Sequence, residues 1–397
     1  MNLIQSKLDD ISEFLIEENP ENIEGDFFTG SAGVALFLFY YSRYTKKAVY
    51  EEKATTFLLK SIDFIDQSAA TGLNHTFCRG ISGICWCIDH LISNGFISSE
   101  NSEILSHFDN FLSDTSVLAL RAGNNDFLHG AIGTSIYLLK RVHIPKVKQS
   151  VESVIDTLYD QKKVYLDDQH YYWTHKAGTL ANGETCNLGI SHGMSSICIF
   201  LSKAIKSNIG TLKAGELLEK TTRFFLSQEI KEANWPSRFP SYSFVSDPNF
   251  AWTRKSRMGW CFGDLGIALS LWHYSQLIKS EELERKAIEI FLSASERKEP
   301  LPNWVIDCGI CHGTSGIALI FQRMYQYTKL EPFKISANYW MELTIAMAKK
   351  GNGYCGYLAD NMNPSMGFLD GISGIGLVLL GFQTQDSTNW DECLLLS

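Results

Sequence analysis

Ten cysteines and ten histidines are spread along a chain of 397 residues, and three of each stand at one repeated place. Seven segments share a motif: a glycine, two residues, a second glycine, then an apolar run. They read FFTGSAGVALFLF, FCRGISGICWCI, FLHGAIGTSIYLL, ISHGMSSICIFL, WCFGDLGIALSLW, ICHGTSGIALIF and FLDGISGIGLVLL, and only the fourth departs, with Ser196 at the second glycine. The residue before the first glycine is Thr29, Arg79, His129, His192, Phe262, His312 or Asp370. One place earlier stand Phe28, Cys78, Leu128, Ser191, Cys261, Cys311 and Leu369. Cys261 and Cys311 therefore hold the same position in adjacent repeats, and His312 follows Cys311 directly. Two thiols and an imidazole with no evident fourth ligand are the make-up of a catalytic zinc site, which keeps one position open. Sulfur and nitrogen donors suit zinc better than magnesium or calcium. The sequence thus predicts one zinc ion on Cys261, Cys311 and His312. Cys308 is a rival ligand, whereas Cys78, three repeats from Cys261, reads as a packing residue. A lone histidine is usually just hydrogen-bonded, but three at matched positions point to a polar, concave site where the repeats converge.

The elements that must position these residues follow from the spacing. The first glycines, Gly30, Gly80, Gly130, Gly193, Gly263, Gly313 and Gly371, lie 50, 50, 63, 70, 50 and 58 residues apart. Fifty residues hold two helices of roughly 15 residues and two turns. Each motif opens a segment with apolar residues at helical spacing, such as Ile81, Ile84, Cys85 and Ile88. More polar amphipathic stretches lie between motifs, at Tyr50–Ala69, Glu103–Leu112 and Glu281–Ser295. The pattern predicts seven helical hairpins, each with an apolar inner and an amphipathic outer helix. Inner helices that are apolar all round must be covered on every side. An open superhelix of helix pairs would leave them bare, and the terminal repeats keep the motif without polar caps. The expected fold is all-α, an α/α toroid: a double barrel of seven inner and seven outer helices. Residues 1–397 then form a single domain with longer insert loops at about 160–186 and 232–256.

Composition bounds the function. Lys+Arg is 35 and Asp+Glu is 44, a net charge of −9, and 45% of residues are hydrophobic. Such a chain can build a large core, and its acidic balance disfavours nucleic-acid binding, which needs a basic footprint. The first residues show no signal-peptide pattern. The longest apolar runs reach about nine residues, short of the ~20 that a membrane span needs. A cytoplasmic protein is expected, with any membrane association arising through partners, and the cysteines are expected as free thiols or ligands. The 30 glycines against 9 prolines suggest positioned glycines, and 13 of them belong to the motifs.

At its motif residues the chain resembles the lanthionine synthetase C-like family, the cyclases of lanthipeptide biosynthesis. The carriers are Arg257-Met-Gly-Trp-Cys261-Phe-Gly263, Cys311-His312-Gly313 and Asn187-Leu-Gly-Ile-Ser-His192-Gly193. The resemblance runs over essentially the whole chain, and it too implies a seven-fold α/α toroid with one zinc on Cys261, Cys311 and His312. It implies the addition of a precursor peptide's cysteine thiol across a dehydroalanine or dehydrobutyrine of the same peptide, giving a lanthionine or methyllanthionine thioether. The reaction needs a thiolate near neutral pH, whereas a free thiol has a pKa of ~8.5. Two thiolate ligands already balance the zinc charge, so a third sulfur stays nucleophilic. This favours thiol alkylation over the hydrolysis typical of histidine-rich sites.

The resemblance also assigns catalytic residues. His192 is the general acid for the enolate left by addition, Asp126 orients or balances it, and Arg257 holds Asp126 or the enolate oxygen. Phe262 stands where many family members carry tyrosine, so no hydroxyl is expected there. His129 reads either as a supporting group or as structural. The insert loops, aromatic and strand-like over Lys163–His175, are expected to line a peptide channel, with Trp235, Arg238, Trp252 and Phe262 touching substrate. The implied partners are the dehydrated precursor peptide, a separate dehydratase (this length leaves no room for a fused one) and an exporter complex. An alternative keeps the site and changes the substrate, binding or adding glutathione. A peptide-binding ring with a structural zinc is another. A carbohydrate-active α/α barrel could pair carboxylates among Asp26, Asp126, Asp264 and Asp370, but it leaves the Cys-Cys-His set unexplained.

Overall fold

The computed structural model describes residues 3–71, 74–174, 179–180, 183–230, 237–245, 256–358, 363–384 and 389–397. It is built of helices. In chain order these are α1 (Leu3–Glu17), α2 (Ser31–Thr45), α3 (Ala48–Thr71), α4 (Ile81–Ser93), α5 (Ser102–Arg121), α6 (Ala131–Lys140), α7 (Pro145–Gln161), α8 (Met194–Lys206), α9 (Thr211–Ser227), α10 (Asp264–Ile278), α11 (Glu281–Ser295), α12 (Thr314–Thr328), α13 (Glu331–Met347) and α14 (Ile372–Thr384). The even-numbered helices carry the seven motifs. They are buried nearly throughout, as the run Ser31–Ser42 of α2 and the run Asp264–Ser275 of α10 show. The helices between them bury one face. In α11 the Ser280 side chain caps the first turn and three glutamates follow it, both favourable at a helix N-terminus.

The chain divides into two compact units, Met1–Ser106 with Pro300–Ser397, and His107–Glu299. In the first unit α2 packs on α3 and α12 on α13; in the second α6 packs on α7, α8 on α9 and α10 on α11. The helix that covers α14 is α1, at the other end of the chain. The seventh hairpin is therefore completed from the N-terminal side; among the described residues only a short 3-10 helix, Asn389–Leu394, follows α14.

A glycine begins each motif helix without offering a side-chain cap, so the first amides need other acceptors. A carbonyl six residues before the glycine supplies one: Ser31 N–H donates to Glu24 O at 2.8 Å, Ile81 to Asn74 at 2.9 Å, Ala131 to Asn124 at 3.1 Å, Thr314 to Asp307 at 3.1 Å and Ile372 to Ser365 at 3.0 Å. In these five repeats the motif folds back as a tight loop onto its own helix start.

The loops are then bonded to one another. In the first unit Phe28 N–H donates to Cys78 O at 3.0 Å, Leu369 to Phe28 at 2.8 Å and Cys311 to Leu369 at 3.2 Å. In the second, Leu128 donates to Ser191 at 3.2 Å and Ser191 to Cys261 at 3.4 Å. In these five repeats the residue two before the glycine gives its amide to its counterpart in the next repeat. The bond from Leu369 to Phe28 joins the seventh repeat to the first, a link an open superhelix would lack.

The second unit also holds β1 (Lys163–Tyr165), β2 (Asp167–Tyr172), β3 (Thr179–Leu180), β4 (Gly183–Asn187) and β5 (Tyr242–Phe244). β1 and β2 form an antiparallel hairpin. β4 pairs antiparallel with both β3 and β5, placing Asn187 opposite Tyr242. The two long insertions therefore meet in one small sheet. No described helix is long and apolar enough to cross a membrane.

Close loop packing yields a prediction of sign. A Cβ added at Gly33 would lie 2.6 Å from both Phe27 O and Phe368 Cβ, whereas at Gly215 of α9 it would meet nothing within 4 Å. Gly33→Ala should destabilise by roughly 1–3 kcal/mol through overpacking, and Gly215→Ala should stabilise by roughly 0.5–1 kcal/mol. Urea midpoints measure both, and equal shifts would remove the close-approach account.

Candidate functional site

In the second unit three motif loops bring polar groups together. Asp126, in the loop before α6, is buried. Its Oδ1 accepts the His129 amide at 2.7 Å, and its Oδ2 lies 2.7 Å from His192 Nδ1. A carboxylate can only accept, so Nδ1 carries the proton. Nε2 is then the nitrogen that can exchange protons with a substrate. Burial alone would lower the His192 pKa, but the hydrogen bond and charge of Asp126, with the charge of Cys261, outweigh it and raise the value above 6.5. The pair of Asp126 with His192 expected from the family pattern is present, built between neighbouring repeats.

The His192 loop lies against the loop of Cys261. Ser191 donates both its amide and its hydroxyl to Cys261 O, at 3.4 and 3.2 Å. A side chain at Gly189 would collide with that same carbonyl and stand 3.1 Å from the Phe262 ring. Gly263 follows with φ +86°, a conformation that suits glycine. Cys261 is buried and Phe262 half-buried, the latter 6.3 Å from the His192 ring between centroids. His129 is exposed and stacks on His192 at 5.8 Å.

Tyr242, absent from the sequence-based set, packs on Phe262 at 5.7 Å. Burial chiefly, with the charges of Cys261 and Asp126, raises its phenol above the usual value of 10, so it remains protonated. It reaches this place through the pairing of β4 with β5, which has no local sequence signal.

The remaining expected residues of this unit are less direct. Arg257 is half-buried, and its guanidinium bonds to none of the described residues. The Arg238 guanidinium is held by Glu229 and by Glu289, the latter at 2.6 Å. Its amide donates to Asp264 at 3.0 Å, and Arg297 reaches the same carboxylate at 2.9 Å. Arg238 is thus committed to an ion-pair network. Trp235 and Trp252 lie outside the described residues.

In the first unit the Cys311–His312 loop precedes α12. Cys311 is half-buried and His312 buried. Asp307, fully buried, turns its Oδ1 to the Gly309 amide at 2.9 Å and its Oδ2 to His312 Nε2 at 2.9 Å. The rival ligand Cys308 is buried, and burial pushes its thiol up to about 12. Cys78 is buried, and its carbonyl accepts the Phe28 amide, as suits a packing residue. Cys261, Cys311 and His312 offer two sulfurs and one imidazole nitrogen, a donor set that fits zinc.

Comparison with known proteins supplies the wider frame. The profile of the lanthionine synthetase C-like proteins matches residues 22–395. Nisin biosynthesis protein NisC of Lactococcus lactis subsp. lactis is 27% identical over 217 residues, 53% of this chain and 48% of that protein. The chain thus matches about half the length of that relative. The structure of a nisin cyclase superposes with a TM-score of 0.75 and 19% identity, covering 99% of this chain and 96% of that one. This likeness shows the fold, the α/α toroid expected from the motif spacing.

The Asp126–His192 contact can be tested by pH. In Asp126→Asn the imidazolium loses its anionic partner, so the His192 pKa falls, as an NMR titration would show. A raised native pKa stabilises the fold fully below the unfolded value of about 6.5, and this stabilisation fades as pH rises through the native pKa. The variant's stability deficit should therefore be largest near about pH 5 and shrink above neutrality. An unchanged His192 titration would remove the coupling.

Proposed function

We propose that this chain, which belongs to the lanthionine synthetase C-like family, is a zinc-dependent lanthipeptide cyclase. It joins cysteine thiols of a dehydrated precursor peptide to dehydroalanine or dehydrobutyrine residues of the same peptide, forming lanthionine and methyllanthionine rings. The observation that carries this reading is the Asp126–His192 pair, whose loop is bonded to the carbonyl of Cys261. An acid is thereby set beside a ligand-type thiol, as thioether formation requires.

Cys261, Cys311 and His312 would hold one zinc ion, which when bound brings an incoming peptide thiol to its thiolate near neutral pH. The chain's own residues do the rest. Addition of sulfur to the β-carbon moves an electron pair toward the α-carbon and its carbonyl oxygen. His192, whose pKa Asp126 raises, delivers the proton to the α-carbon through Nε2. Asp126 keeps the ring in one orientation and offsets its charge. Arg257, whose guanidinium is bonded to none of the described residues, is available to the enolate oxygen. Phe262, whose ring lies tilted beside that of His192, supplies an apolar wall, and the inserts lead the peptide in. The dehydrated residues come from a separate dehydratase.

The test uses the dehydrated peptide, thiol counting and mass spectrometry. Ring formation consumes thiols at unchanged peptide mass, whereas addition of glutathione raises the mass. Cys261→Ala and Cys311→Ala should each lose most bound zinc and cyclisation. His192→Ala should retain zinc and slow cyclisation by about 10²–10⁴-fold. Full zinc occupancy in Cys261→Ala overturns the ligand assignment, and wild-type turnover in His192→Ala overturns the acid.

A further inference from the structure

In five of the seven repeats the position six residues before the first glycine has a common task, with Glu24 and Arg257 standing there in the other two. Its side chain accepts the amide two residues on: Asn74 from Thr76 at 3.1 Å, Asn124 from Asp126 at 3.4 Å, Asn187 from Gly189 at 2.8 Å and Ser365 from Gly367 at 3.2 Å. The task needs only an acceptor, and neutral residues perform it in these four repeats. In the sixth repeat the position is Asp307, which makes the same bond to Gly309 at 2.9 Å. The charge it adds is unnecessary for the turn.

That charge is fully buried, a costly placement without a partner. The second oxygen of Asp307 lies 2.9 Å from His312 Nε2, a close contact without full hydrogen-bond alignment, and has no other partner among the described residues. His312 is itself exceptional. At the place before the first glycine, Thr29, Arg79, His129, His192, Phe262 and Asp370 are half-buried or exposed, and His312 alone is buried. A buried carboxylate and a buried imidazole thus occur together in the one repeat that carries Cys-His.

We infer that Asp307 is a positioning residue for the metal centre: it holds His312 by Nε2–H and thereby assigns Nδ1 to the metal. The inference rests on the zinc reading above and adds which nitrogen serves and what orients it. The contrast with His192 supports it. There the carboxylate takes Nδ1 and leaves proton exchange to Nε2, whereas in His312 the engaged nitrogen is the opposite one. A carboxylate behind a ligating histidine fixes its tautomer and makes it a better donor, and removing such a partner typically weakens metal binding about 10–100-fold.

Asp307→Asn and Asp307→Ser both retain a turn acceptor, as Asn187 and Ser365 do in their own repeats, so at least one should fold. Zinc dissociation constants of the full-length proteins are measured by competition with a chelator, alongside the melting temperature of the zinc-free forms and the thiolate-to-metal absorption of cobalt-loaded protein. The expected result is a near-wild-type zinc-free melting temperature, preserved cobalt–thiolate bands and zinc affinity lowered about 10–100-fold. Wild-type zinc affinity in a folded variant overturns the positioning role and leaves the zinc reading standing. Loss of zinc-free stability with unchanged affinity assigns Asp307 to the turn alone and also overturns it. Failure of the wild-type protein to bind zinc removes the zinc reading itself, and this inference with it.

Discussion

A single backbone hydrogen bond, repeated from motif loop to motif loop, is the constraint on which the site depends. Within each unit a loop offers an amide two residues before its glycine, and its neighbour offers the matching carbonyl. The bond requires the loops to lie almost in contact, so the motif keeps glycines where any side chain would collide with a neighbour. The residues beside that bond are brought to corresponding places in every repeat, whatever their chemistry. Four repeats put a phenylalanine, leucine or serine there, and the second, fifth and sixth put cysteines. The scaffold is indifferent to the choice, so the same bond carries apolar, hydroxyl and thiol side chains.

Electrostatics then separates two histidines that the motif makes equivalent. His192 and His312 stand at the same position, yet each meets a carboxylate by a different nitrogen and from a different source. Asp126 comes from the preceding repeat and leaves its histidine half-exposed and readily protonated. Asp307 comes from the same loop and buries its partner. One arrangement suits a group that must exchange protons, the other a group that must stay put.

The fold was largely legible in the sequence because a helix of period 3.6 opened by a glycine is a local signal that repeats seven times, six of them with a second glycine at fixed spacing. The correspondence of Cys261 with Cys311 was legible for the same reason, since the repeat frame puts both two residues before a glycine. Illegible features depend on contacts between distant segments. The cover of α14 by α1 could not be read, because α1 carries no motif. Tyr242 arrives through pairing of two insertions, and nothing near it in the chain announces Asn187 as its partner. Asp307 was hidden differently: as a turn acceptor it resembles asparagine, and only its second oxygen, resolved in three dimensions, distinguishes it. Arg238 could be seen as charged but not as already bound by two glutamates.

The joining of the last motif to the first also orders the protein's assembly in time. The unit His107–Glu299 is one uninterrupted stretch, so its three loops can bond as soon as they leave the ribosome. The other unit is assembled from both flanks of that stretch, and its bond from Leu369 to Phe28 closes a very long loop. The entropic cost of such a closure grows only slowly with loop length, so the join is thermodynamically cheap, but it must come late. Until then α2 and α4 hold buried-type surfaces without their final neighbours, and a nascent chain in that state is exposed to aggregation.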